Sequence, residues 1–190
     1  MEYLIIQPPF TLRFREMSKP ELKEYAAWFH ESLPQRQAEL AGAVQRTPGF
    51  EGWTPNLDAR SIDALGHWLA DHVETRPRTT EEAGMIAPWV SAPRDDLTNR
   101  TFSLAYDVGM YYGQSVLEAC PEARWSQPLK NKKFADYGQP VIEGLGVVPL
   151  NPVRIAVTFA YGIAAATKGG GRLLELYEYW VGQGKGGERD

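Results

Sequence analysis

The chain has 190 residues, 43% of them hydrophobic and 23% charged, with a formal net charge of −4. This composition excludes a disordered chain, and the length suits one globular domain able to bury its own core. A single cysteine, Cys120, excludes an intrachain disulfide framework and any multi-cysteine zinc or iron–sulfur site.

One cysteine also predicts a reducing, cytoplasmic setting. The first residues carry no basic leader, and the apolar run at 3–6 is too short for a secretory signal. No stretch approaches the ~18 apolar residues of a membrane span; the least polar one, 153–167, is interrupted by Arg154 and Thr158. Charge is uneven. Residues 1–120 hold 11 Lys/Arg against 17 Asp/Glu, a net of −6, whereas 121–190 hold 9 against 7, a net of +2. Nucleic-acid binding requires a basic stripe that displaces phosphate counterions. The only basic cluster, Lys130, Lys132 and Lys133 beside Asp136, reads as a solvated loop, so neither nucleic acid nor membrane is an expected partner.

In chain order, residues 3–6 read as a short strand stopped by Pro8-Pro9, and 10–14 as a second extended piece. Ser18 is a helix N-cap, and Leu22, Tyr25, Ala26, Phe29 and Leu33 follow at helical spacing. Pro34 is expected to kink or break this helix, with Ser32 capping a second segment through Leu40 and Val44 up to Thr47-Pro48-Gly49. Residues 50–60 read as a loop anchored by Phe50, Trp53 and Leu57. Ser61 then starts a helix with Ile62, Leu65, Trp68, Leu69, His72 and Val73 inward, closed by Arg76-Pro77. Residues 77–97 read as an irregular connector with one short helical turn after Thr80, and mobility is expected there.

From Thr98 to Cys120 the only charges are Arg100, Asp107 and Glu118. A helix apolar on nearly every side belongs in the middle of a domain. Ala105, Gly109 and Gly113, four apart, form a smooth strip for close backbone approach, and two interior glycines at a cost of ~1 kcal/mol each imply a steric reason. Period-two patterns at 123–126 and 140–145 predict two strands that pair across a long loop, with 147–150 extending the second or forming a third. Asn151-Pro152 is a cap followed by proline at the first helical position. A helix follows, broken at Lys168-Gly169-Gly170-Gly171, and then a last amphipathic helix with Leu173, Leu174, Tyr177, Trp180 and Val181. The predicted architecture is a predominantly helical α+β domain over 1–181, its central helix at about 98–120 packed by other helices and a small antiparallel sheet at about 123–150, with a disordered tail at 182–190.

Reactive motifs are sparse. Cys120 lies at a helix C-terminus, where the dipole raises a thiol pKa, so it reads as structural. His67 and Asp71 are one turn apart but lack the third ligand of a catalytic zinc, and His30 and His72 read as surface or helix-end residues. The glycines at 169–171 lack the neighbours of a phosphate loop, and Gly144-x-Gly146 reads as a bulge. No metal and no cofactor is expected. Asp107 stands out, because a carboxylate inside an apolar helix must be paired, hydrogen-bonded or protonated. Arg154 and Arg36 are its candidate partners, and a structural hub is the favoured role. Tyr111, Tyr112, Trp125 and Tyr137 are expected near the second half of this helix, and with Asp107 and Arg154 they make the candidate binding set.

The segments SLAYDVGMYYGQSVLEA, RW, DYGQPVIEG and LNPVRIAVTFAYG resemble a group of small uncharacterised bacterial proteins over roughly 18–181. Their helix–strand–helix pattern is similar to that of immunity proteins of polymorphic toxin systems. The resemblance rests on packing motifs and carries over no active-site residues. It implies a non-catalytic protein that binds another protein, such as a basic toxin domain suited to the acidic N-terminal region. The alternative is a small-ligand-binding or enzymatic protein built around Asp107 and the nearby tyrosines. A third reading uses the aromatic surface for self-assembly.

Overall fold

A computed structural model describes residues 3–85 and 95–186. At its centre lies the helix Asn99–Ala119, buried at 14 of its 21 positions, Asp107 included. Against it pack helices Lys19–Gln45, Ala59–Asp71, Pro152–Ala164 and Arg172–Gly186. In chain order the elements are α1 (Lys19–Gln45), α2 (Ala59–Asp71), β1 (Thr75–Pro77), α3 (Thr80–Gly84), β2 (Asp95–Leu97), α4 (Asn99–Ala119), β3 (Arg124–Ser126), β4 (Val141–Glu143), α5 (Pro152–Ala164) and α6 (Arg172–Gly186). The fold is α+β and predominantly helical. One buried apolar cluster draws on residues from Tyr3 to Tyr177, and two smaller ones lie around Phe29 and Tyr25.

The small-residue strip does what its spacing predicts. A Cβ on Gly109 would lie 2.6 Å from Val153 Cα and 2.9 Å from the Pro152 carbonyl oxygen, so the first turn of α5 sits directly on the α4 backbone. That turn begins as the sequence indicates, with the Asn151 side chain accepting from the Arg154 N–H and proline next in line.

Several expectations are corrected. Pro34 does not break α1, which is continuous from the Ser18 capping box to Gln45. Proline removes only the bond to the His30 carbonyl, and both residues are on the exposed side, where water can replace it. Ser32 is no cap; its hydroxyl donates to the Phe29 carbonyl at 3.0 Å. Helix α2 starts two residues before Ser61, capped by Asp58, and Ser61 serves as the reciprocal partner of that cap. It ends at Asp71, well before Arg76-Pro77.

Residues 3–6 form no strand. Their polar backbone is met by side chains instead, Ile6 N–H donating to Ser103 Oγ (2.7 Å) and Arg36 donating to the Leu4 carbonyl (2.8 Å). Residues 10–14 are bends and turns, with Leu12 in the left-handed region at φ 60°.

Among the described residues there are two two-stranded antiparallel sheets, the predicted one and one further. The expected pair is β3–β4, with Trp125 opposite Ile142 and Leu150 bridging to Ile142. The other, β1–β2, pairs Thr75 with Leu97; β1 (Thr75–Pro77) takes residues expected to close the preceding helix, and β2 lies at the end of the stretch 77–97 read as an irregular connector. The helical turn after Thr80 is present as α3. Mobility is expected of the whole connector, 77–97, of which 86–94 lie outside the described residues. Helix α6 runs on to Gly186, five residues into the expected tail, and 187–190 are also outside the description.

Candidate functional site

Asp107 is completely buried and paired with Arg36, the second of its two candidate partners. The guanidinium bonds both carboxylate oxygens, Nε to Oδ1 at 2.8 Å and an Nη to Oδ2 at 2.6 Å. Tyr3 adds its hydroxyl proton to Oδ2 at 2.5 Å, and Ser103 Oγ lies 2.8 Å from that hydroxyl. The guanidinium also sits over the Tyr3 ring, 5.4 Å from its centroid. Burial pushes the Asp107 carboxyl pKa up, while the bonds from Arg36 and Tyr3 pull against it. Burial likewise raises the Tyr3 phenol, and the neighbouring carboxylate adds to the effect. The network ties the N-terminal segment and α1 to α4. Its bonds are spent inside the protein.

The remaining candidates do not gather around Asp107. Tyr111 points to the N-terminus of α2, donating to Ser61 Oγ (2.7 Å) and accepting from the Leu57 N–H (2.9 Å). Tyr112 is fully buried against Tyr177, and its hydroxyl finds no partner. Trp125 packs on Phe29 and His30, closes over Gly113, and leaves its buried Nε1–H unpaired. Tyr137 is buried in a separate cluster with Met17, Leu22 and Tyr25. Arg154, half exposed, bonds Asp136 Oδ1 at 2.8 Å. The polar centre imagined around Asp107, Tyr111 and Arg154 is therefore three separate structural contacts.

Asp136, read as a flank to the lysine cluster, is buried and also accepts from Asn151 Nδ2 at 2.9 Å. Asn151 in turn bonds Gln139 Oε1 at 2.9 Å. Beside this polar wall opens a groove of about 320 Å³. Its apolar lining comes from Leu12, Phe14, Phe102, Val153 and Val157, with Tyr25 and Tyr106 below and Arg154 at its edge. The two tyrosine hydroxyls bond each other, and burial raises both phenol pKa values. Leu12, held at φ 60°, adopts a conformation that costs a non-glycine residue ~1–2 kcal/mol. No sequence motif marks this groove, because its lining comes from five separate stretches of the chain.

The histidines go elsewhere. His67 faces Asp63 at 3.7 Å rather than Asp71, and His72 stacks on Trp68 while its Nδ1 lies 2.6 Å from the Trp68 carbonyl oxygen. Among the described residues no three His, Cys, Asp or Glu side chains gather as a metal site. Cys120 is buried against α6, which pushes its thiol pKa up. Among the described residues no helix is long and apolar enough to cross a membrane. The chain matches no family model, no curated protein and no solved structure.

Proposed function

We propose that this chain is a non-catalytic cytoplasmic protein that works by binding another protein with a basic surface, as an immunity protein does when it neutralises a toxin. The observation that carries the reading is an apolar patch left on the outside at one end of the fold. Val147 is fully exposed, and Val148 and Tyr179 are more than half exposed. A Cβ on Gly146 would come 3.9 Å from Gln183, which lies one turn after Tyr179 on α6, so the loop and the helix form one surface. Exposed Glu178 adjoins Tyr179 in sequence, and exposed Glu122 belongs to the turn packed on Gly144, its carbonyl oxygen 3.1 Å from where a Cβ at that glycine would sit. Apolar anchors inside a polar, charged rim are the usual anatomy of a protein interface, and acidic flanks suit a basic partner.

Two measurements test the proposal. The wild-type chain should protect cells when co-expressed with a toxin encoded by the adjacent reading frame and should co-purify with it, more weakly as salt rises. Replacing Val147 and Tyr179 together by Asp should abolish both effects while leaving the circular dichroism spectrum and Tm in place. Equal protection by variant and wild type, or no complex with the wild type, would sink it.

A further inference from the structure

We infer that the groove between the N-terminal segment, α4 and α5 is a binding site for a small amphiphile with an apolar body and a carboxylate head. Its volume, about 320 Å³, is at the lower end of the ~300–1,000 Å³ range of small-molecule sites. Leu12, Phe14, Phe102 and Val157 supply walls for an aliphatic or aromatic body.

Among the polar side chains lining the groove, those with spare N–H or O–H groups are Arg154 and the Tyr25–Tyr106 pair, while Asp136 Oδ2, buried behind Arg154 and Asn151, has no partner among the described residues. Asn151 and Gln139 are engaged with each other, and the Asn151 carbonyl oxygen also accepts from the Arg154 N–H. Arg154 uses one Nη on Asp136, so its other N–H groups remain available at the half-exposed edge. Tyr25 and Tyr106 share a single mutual bond, so among the described residues one of the two phenolic protons has no acceptor. A head group that only accepts, and that carries the charge opposite to Arg154, satisfies these groups; an ammonium head would not. Asp136 offsets part of the Arg154 charge, which places a single carboxylate, rather than a multiply charged head, in keeping with the site.

Isothermal titration of the full chain with decanoate, kept below its micelle-forming concentration, tests the assignment. Decanoate should bind with one-to-one stoichiometry, and decylamine should not. Arg154→Gln should weaken decanoate by about tenfold or more, the loss expected for one charge-assisted hydrogen bond. Val157→Trp should block the groove and abolish binding, and Leu12→Glu, in the N-terminal segment, should do the same. Far-ultraviolet circular dichroism identifies any variant that fails to fold. No binding to the wild type would overturn the inference, as would binding unchanged in both wall variants or equal binding of decylamine. Unchanged affinity in Arg154→Gln would overturn the head-group assignment.

Discussion

Tyr3 donates its hydroxyl proton to Asp107 at 2.5 Å, joining residues 104 positions apart in the chain. With Arg36 on the other side, the carboxylate has every charge and hydrogen-bond requirement met from within. Removing one member of such a buried ion pair typically costs ~3–5 kcal/mol, because the other charge is left without compensation. Asp107→Ala is therefore expected to lose about that much in urea denaturation, and Tyr3→Phe about 1–2 kcal/mol. Wild-type stability in Asp107→Ala would refute the structural role.

The contact between α4 and α5 gives a second prediction. Alanine is a better helix former than glycine by ~1 kcal/mol, yet a Cβ at Gly109 would strike the Val153 and Pro152 backbone. Gly109→Ala should therefore destabilise the protein by about 1–3 kcal/mol, the usual cost of overpacking. Gly182, also helical but with open space around it, is the control. Gly182→Ala should leave Tm unchanged or raise it.

Pro34 costs α1 a backbone bond without any visible compensation in packing, since it is exposed. Pro34→Ala restores the bond to His30 and should stabilise the fold by about 1–2 kcal/mol, less than the full ~3 kcal/mol penalty because proline also restricts the unfolded chain. Thermal unfolding of the two proteins decides it. A lower Tm in the variant would mean that the proline serves packing or positioning.

Tyr112 buries a hydroxyl that bonds nothing. Tyr112→Phe removes that desolvated group while keeping the ring contact with Tyr177, so stability should be unchanged or higher by about 1 kcal/mol. A clear loss would show that the hydroxyl has a partner, such as a buried water.

The tyrosines also set the response to alkali. Burial holds Tyr161 protonated up to about 12, and its bond to Asp96 at 2.5 Å reinforces this; Tyr3, Tyr25, Tyr106 and Tyr112 are raised as well. Their ordinary value is ~10. The unfolded chain thus releases these protons first, so the stabilisation is complete below pH ~10 and is lost as pH rises through the folded values. Denaturation midpoints should fall steadily above pH ~10. Tyr161→Phe should fall less steeply between ~10 and ~12 than the wild type.

How far the fold could be read in advance follows from what each feature depends on. The nearly uncharged run of α4 marked it as central, its small residues marked the approach of α5, and Ser18 and Asn151 marked two helix starts. These are local properties: periodicity, capping and steric size act within a few residues of chain. Whether Pro34 would break α1 was not local, because α1 packs on α4 and is buried at residues on both sides of the proline. Nor was the pairing of β1 with β2, two three-residue strands too short to show a pattern.

The candidate residues divide in the same way. Burial of Asp107 was readable from its apolar neighbours, but the choice of Arg36 over Arg154 depended on which helix faces it across 71 residues of sequence. The tyrosines of α4 point around its whole circumference, so neighbours in sequence became residents of different contacts. The groove was invisible for the same reason. Its walls meet only when α1, α4, α5 and the N-terminal segment are in place, and a strained Leu12 is held there by packing that no local propensity favours.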